Sequence, residues 1–292
     1  MPSQSKLRPA PPPKPKSLSS TPVTSVAPAS GKRGLCWPWD QPGSHFKLFE
    51  PYTSSTGKIK WIFNWELWVP DSLPQEVEWI PCVRTAEQAK DIDPFLTDIL
   101  QRRERPPRTS ALLGFNEPEI PEQANLSVEA AVALWTHVVL PAKTKFRLRL
   151  GSPGMSSDLG RSKPWLDSFL ARLGAHHGID FLVLHWYGPR FQDLRVFLEH
   201  MHQAYGLPIW LNEFACSKMG QGEASADEVS DFLREALPWL DTCPWIERYA
   251  YFGHQDVGAW VGHASNFSEP VERPAESDTK RLTQVARLYC EH

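Results

Sequence analysis

The chain of 292 residues carries 31 Lys or Arg against 34 Asp or Glu, a net charge of −3. Five of the basic residues and no acid fall in the first 32, so the remainder carries about −8 once that +5 is taken off. An acidic body without a basic stripe argues against a nucleic-acid partner, and no run of 18 apolar residues exists that would span a membrane.

Residues 1–31 are rich in Pro, Ser and Lys. Pro11-Pro12-Pro13-Lys14-Pro15 suits neither a helix nor a central strand, because proline locks φ and lacks an N–H. This segment is expected to be a disordered tail, and it lacks the apolar stretch of a signal peptide. A single domain is expected over 32–292. Eight strand-like runs follow the tail, at 33–39, 60–65, 77–83, 111–116, 146–151, 180–187, 208–213 and 246–252. Helical spacing fills most of the gaps. It covers 86–103, where Pro94 interrupts it, a helix opened by Ser127 as N-cap, and then 163–173, 191–205, 225–240 and 280–289. The stretch 45–56, between the first two strands, reads as loop. Alternating strands and helices build a parallel sheet, and eight such units close into an α/β fold of the (β/α)8 TIM-barrel type.

Two glutamates stand where such a barrel does chemistry. Glu117 ends the fourth run in Gly114-Phe115-Asn116-Glu117-Pro118-Glu119, and Glu213 ends the seventh in Ile209-Trp210-Leu211-Asn212-Glu213-Phe214. Both are therefore expected at the C-terminal rim, across a shared cavity. A pair of carboxyl groups is the minimum equipment for breaking a glycosidic bond, one as proton donor and the other as nucleophile or as activator of a water. The 13 tryptophans fit a carbohydrate ligand, since an indole face stacks on the apolar face of a pyranose.

No cofactor or metal is expected. The five cysteines, Cys36, Cys82, Cys216, Cys243 and Cys290, form no C-x-x-C pair. His176-His177 and the His200/His202 pair lack the i, i+4 spacing of a helical zinc site. Cys243 and Cys290 both fall at the bottom end of the expected barrel, where a disulfide between them is left open.

An ordered set of motifs goes further. It comprises Lys32-Arg33-Gly34-Leu35, Trp61-Ile62-Phe63-Asn64-Trp65, the Asn116-Glu117-Pro118 stretch, Leu150-Gly151-Ser152-Pro153, His185-Trp186-Tyr187, the Asn212-Glu213-Phe214 stretch and Glu247-Arg248-Tyr249-Ala250-Tyr251-Phe252. With these the chain resembles, over about residues 32–262, the fungal Asl1-like glycoside hydrolases of family 128. Those are endo-β-1,3-glucanases with catalytic glutamates on strands four and seven. It departs from them in three places: Arg84 ends strand three in Pro81-Cys82-Val83-Arg84, the loop from Cys216 to Glu223 is unusual, and Glu119 stands where Asp is common.

The resemblance implies a retaining endo-β-1,3-glucanase with Glu117 as general acid/base and Glu213 as nucleophile. Asn116 is expected on the sugar 2-hydroxyl. His185 and Tyr187, which share a strand face, are expected at the reactive subsite, with Tyr187 holding Glu213 and His185 meeting sugar or a catalytic carboxylate. Trp37, Asn64, Trp65, Tyr251 and Trp260, at or just beyond strand ends, are expected to contact substrate. The expected partner is β-1,3-glucan, and the expected state is a monomer. A β-glucan-binding or cell-wall protein without turnover and a glucan transglycosylase remain alternatives. The family suggests an extracellular or cell-wall location, which the tail does not support.

Overall fold

The structure is a computed structural model and describes residues 31–254, 256–269 and 281–292. The tail expected over residues 1–31 lies outside them except for Gly31. Eight strands are present among the described residues: β1 Arg33–Cys36, β2 Ile59–Phe63, β3 Glu78–Ile80, β4 Ala111–Leu112, β5 Arg149–Met155, β6 Phe181–Gly188, β7 Ile209–Cys216 and β8 Ile246–Tyr251. They lie in the order β3-β2-β1-β8-β7-β6-β5-β4, with parallel neighbours throughout. The seam between β3 and β4 is closed by a parallel bridge of Cys82 to Leu113. The result is a (β/α)8 TIM barrel.

Alternation along each strand divides the core in two. Cys36, Trp61, Phe63, Ile80, Cys82, Phe181, Val183, Trp210 and Ala250 fill the barrel interior. Leu35, Trp37, Ile62, Leu184, Leu211 and Tyr251 face outward into the layer beneath the helices. At the bottom, Arg248 Nη2 meets Glu78 Oε2 at 2.5 Å, with its guanidinium over the rings of Trp61 and Trp210. Helix starts follow ordinary capping chemistry. Ser127 Oγ accepts from Ala130 N–H, and Ser225 and Glu228 form a reciprocal capping box at the start of the helix Ala226–Thr242.

Several boundaries differ from the sequence reading. The stretch 45–56 is not loop: a helix runs from Phe46 to Thr53 and buries Phe46, Phe49 and Thr53. Its eight residues and internal Pro51 hide the period, and packing of that one face supplies what propensity does not. Phe146 belongs to a helix rather than to the fifth strand. Arg147 caps that helix in the left-handed region at φ 56°, and β5 then runs on to Met155. β4 is only two residues long; beyond it the backbones run close together, and a Cβ on Gly114 would lie 2.8 Å from Ser152 O. Asn116 nevertheless bridges in parallel to Gly154, so the segment keeps following β5. All five cysteines are free thiols, Cys243 and Cys290 included.

Candidate active site

The C-terminal strand ends open onto a cavity of about 810 Å³. Glu213 enters it from β7 and Glu117 from the turn that follows β4. Glu117 sits at φ 43°, a left-handed conformation. Its N–H donates to Gly154 O at 2.8 Å, and its carbonyl accepts from Ile120 N–H at 3.0 Å. The buried ring of His185, on β6, stands between the two carboxylates. Its Nδ1 is 2.8 Å from Glu117 Oε1 and its Nε2 is 3.5 Å from Glu213 Oε1. Each oxygen of Glu213 also receives a donor: Trp65 Nε1–H at 2.8 Å on Oε1 and the Tyr187 hydroxyl at 2.9 Å on Oε2.

Burial alone would lower the pKa of His185. The charge of Glu213, together with the hydrogen bond and charge of Glu117, outweighs that and pushes it up to about 9. The ring is therefore an imidazolium at neutral pH and faces both carboxylates. Burial pushes the Glu213 carboxyl up, and the Glu117 charge adds to this. The imidazolium and the donors from Trp65 and Tyr187 oppose it. Burial and the Glu213 charge also push the Tyr187 hydroxyl well up, so it remains a donor.

The other expected residues divide by strand parity. Asn116, Trp65, Tyr187 and Trp260 line the cavity with the two glutamates. Asn116 Nδ2 is held by Gln123 Oε1 at 3.2 Å. Trp260, 51% exposed, meets Tyr187 edge-on at 5.1 Å, and its carbonyl accepts the Ser217 hydroxyl at 2.7 Å. Trp37, Asn64 and Tyr251 do not reach the cavity. Trp37 is fully buried, stacks on Phe46 at 3.9 Å and donates Nε1–H to Gln41 O. Tyr251 is fully buried with its hydroxyl 2.8 Å from Ser265 Oγ. Both fall on the outward face, one residue from Cys36 and Ala250, which point inward. Asn64 is buried and pins the following loop by donating Nδ2–H to Trp68 O at 2.8 Å.

Phe252, on the same face as Ala250, lines the cavity in place of Tyr251 and packs against Trp65 and Tyr187. Parity alone would have selected it. Glu122, Gln123 and the run Ser156–Asp158, also on the wall, sit in loops with no period to read. Among the described lining residues Arg84 is the sole cation beside six acids, Asp40, Glu66, Glu117, Glu122, Asp158 and Glu213. That field disfavours an anionic polymer and leaves a neutral one unaffected. Trp39, 67% exposed, completes an aromatic rim with Trp260.

Two carboxyl groups facing one cavity, one on β7 and one in the turn after β4, each with a fixed partner, can supply both a proton donor and a nucleophile. Fold and site together define a glycoside hydrolase. The chain belongs to the glycosyl hydrolase catalytic core family, whose profile matches residues 34–286, and the resemblance to the Asl1-like enzymes of family 128 stands. A curated relative, alkali-sensitive linkage protein 1 of Schizosaccharomyces pombe, is 29% identical over 264 residues, which are 89% of this chain and 44% of that protein. The chain thus spans less than half of that relative's length.

Among solved structures, a curdlan-specific exo-β-1,3-glucanase of family 128 from Blastomyces gilchristii, in complex with glucose, is 28% identical with a TM-score of 0.69. That match covers 91% of this chain and 100% of the other. An endo-β-1,3-glucanase of the same family from Sorangium cellulosum is 26% identical with a TM-score of 0.69, over 88% and 97% of the two chains.

Proposed function

We propose that this protein is a retaining endo-β-1,3-glucanase in which Glu213 is the nucleophile and Glu117 the acid/base. The observation that carries the reading is the arrangement of Glu213. It lies across the cavity from Glu117 with both oxygens held by neutral donors, Trp65 and Tyr187, and the His185 imidazolium beside it. A carboxylate so held is aimed and cannot rotate away from an anomeric carbon above it. In the first step Glu213 attacks that carbon while the proton that His185 Nδ1 shares with Glu117 passes through Glu117 to the departing glycosidic oxygen. In the second, Glu117 takes a proton from water, and the water displaces Glu213. Asn116, fixed by Gln123, is placed to hold the 2-hydroxyl, a contact that strengthens as the oxocarbenium-like state forms.

Relatives that act on β-1,3-glucan, a cavity wall of acids that suits a neutral polymer, and the rim indoles Trp39 and Trp260 support the substrate. The cavity, at about 810 Å³, has room for more than one sugar ring, as cleavage between two rings of a glucan requires. The test is a time course on linear β-1,3-glucan with NMR of the first-formed anomer. A ladder of oligosaccharides with the β-anomer released first is expected. Glucose alone would replace endo by exo action, an α-anomer would replace retention by inversion, and chain-lengthened products would show transfer. No cleavage of any glucan would sink the reading.

A further inference from the structure

Glu119 is an acid that no step above uses. It lies inside the tight turn Glu117–Ile120, and its Oε1 accepts the backbone N–H of Ser156 at 2.9 Å. Its Oε2 is buried without a partner. Ser156 follows β5 and lines the cavity. The side chain therefore spans from the turn after β4 to the rim of β5, beside the place where Glu117 N–H meets Gly154 O.

Burial pushes the Glu119 carboxyl up, the hydrogen bonds from Ser156 oppose this, and the charge of Glu117 adds to it. A half-satisfied buried carboxyl is a costly way to tie two loops, so something must be gained by placing it there. What it adjoins is the left-handed Glu117, at φ 43°. A non-glycine residue keeps such a conformation only where its surroundings over-determine it.

Resting on the reading of Glu117 as the acid/base, we propose that Glu119 is a positioning residue. By clasping Ser156 it locks the left-handed turn and so sets the angle at which the Glu117 carboxyl meets the leaving-group oxygen.

The test compares Glu119→Ala, Glu119→Gln and Ser156→Pro on two substrates. Alanine removes the clasp. Proline at 156 removes the same hydrogen bond from the other side. Glutamine keeps an acceptor for Ser156. On linear β-1,3-glucan, E119A and S156P are expected to lose kcat on the order of tenfold with KM little changed, the scale of a misplaced catalytic group. On a dinitrophenyl β-glucoside, whose leaving group needs no proton, the loss in kcat/KM, which reports the first step alone, should nearly vanish. E119Q should recover most of the glucan rate, and a crystal structure of E119A should show Glu117 out of the left-handed region or its carboxyl away from His185.

Equal losses on both substrates, a loss confined to KM, or E119Q as impaired as E119A would overturn the proposal. If the unmodified protein cleaves neither substrate, the functional reading fails instead. The E119A structure then decides: a displaced Glu117 supports the clasp, and an unmoved one overturns it.

Discussion

The Nδ1 of His185 lies 2.8 Å from Glu117 Oε1, so a cationic ring on β6 is hydrogen-bonded to the carboxylate that follows β4. Because the other face of the same ring looks toward Glu213 at 3.5 Å, the two carboxylates share one positive charge.

That sharing makes stability depend on pH. The folded-state pKa of His185, about 9, lies above the unfolded value near 6.5. Its contribution is therefore fully present below pH 6.5 and is lost as pH rises through 9. We expect the unfolding free energy from urea titrations to fall on the order of 3 kcal/mol more across that window in the unmodified protein than in His185→Gln. Parallel pH profiles for the two would mean that the imidazole is neutral.

Gly154 keeps room for that ring. A Cβ there would lie 2.7 Å from His185 Nε2 and 3.2 Å from Cε1. Gly154→Ala should force the ring out of its position and cost about 1–3 kcal/mol of stability, the usual scale of overpacking. It should also lower kcat on the order of 100-fold, since small misplacements at a reacting centre cost that much. Chemical denaturation and steady-state kinetics on the same preparation check both. A fully active variant would show that His185 tolerates displacement.

The roles of the carboxylates are separable by azide rescue. Glu213→Ala opens space on the α face of the bound sugar, so azide should convert an activated β-glucoside to the α-azide. Glu117→Ala leaves the nucleophile in place, so azide should enter from the other side and give the β-azide. Each variant should lose on the order of 100-fold or more on natural glucan. Opposite anomers would exchange the two roles, and unimpaired turnover in both would move the chemistry elsewhere.

The bottom of the barrel should matter to stability and not to turnover. Glu78 neutralises Arg248, which is buried between Trp61 and Trp210. Glu78→Ala leaves that cation unpaired and should cost about 3–5 kcal/mol in urea unfolding. At temperatures where the variant stays folded, kcat and KM should match the unmodified protein. A catalytic defect there would tie the barrel floor to the site.

Strand and helix alternation and the facing pair His185 and Tyr187 were legible in the chain, because each rests on a local period of two or of about 3.6 residues, whereas Glu117 and Glu213 were expected to end their strands and instead lie in the turn after β4 and within β7, which runs on to Cys216. Proximity to a strand end misplaced Trp37 and Tyr251. Both lie close to inward residues, but the pleat turns them under the helices. Phe252, on the inward face, does line the cavity. The short helix Phe46–Thr53 was hidden by Pro51 and is held by the burial of Phe46 and Phe49.

By itself, then, the sequence determined the eight-fold alternation and the height at which Glu117 and Glu213 emerge, since hydrophobic period and strand parity are written residue by residue. The resemblance had put Tyr187 on Glu213, but only the tertiary structure decided that His185 stands between the carboxylates, that Trp65 takes the other oxygen of Glu213, and that Glu119 reaches Ser156. Those contacts join residues from 26 to 148 positions apart, and no local pattern encodes them. They are set by the closure of the barrel, which brings the ends of β2, β4, β5, β6 and β7 around one cavity.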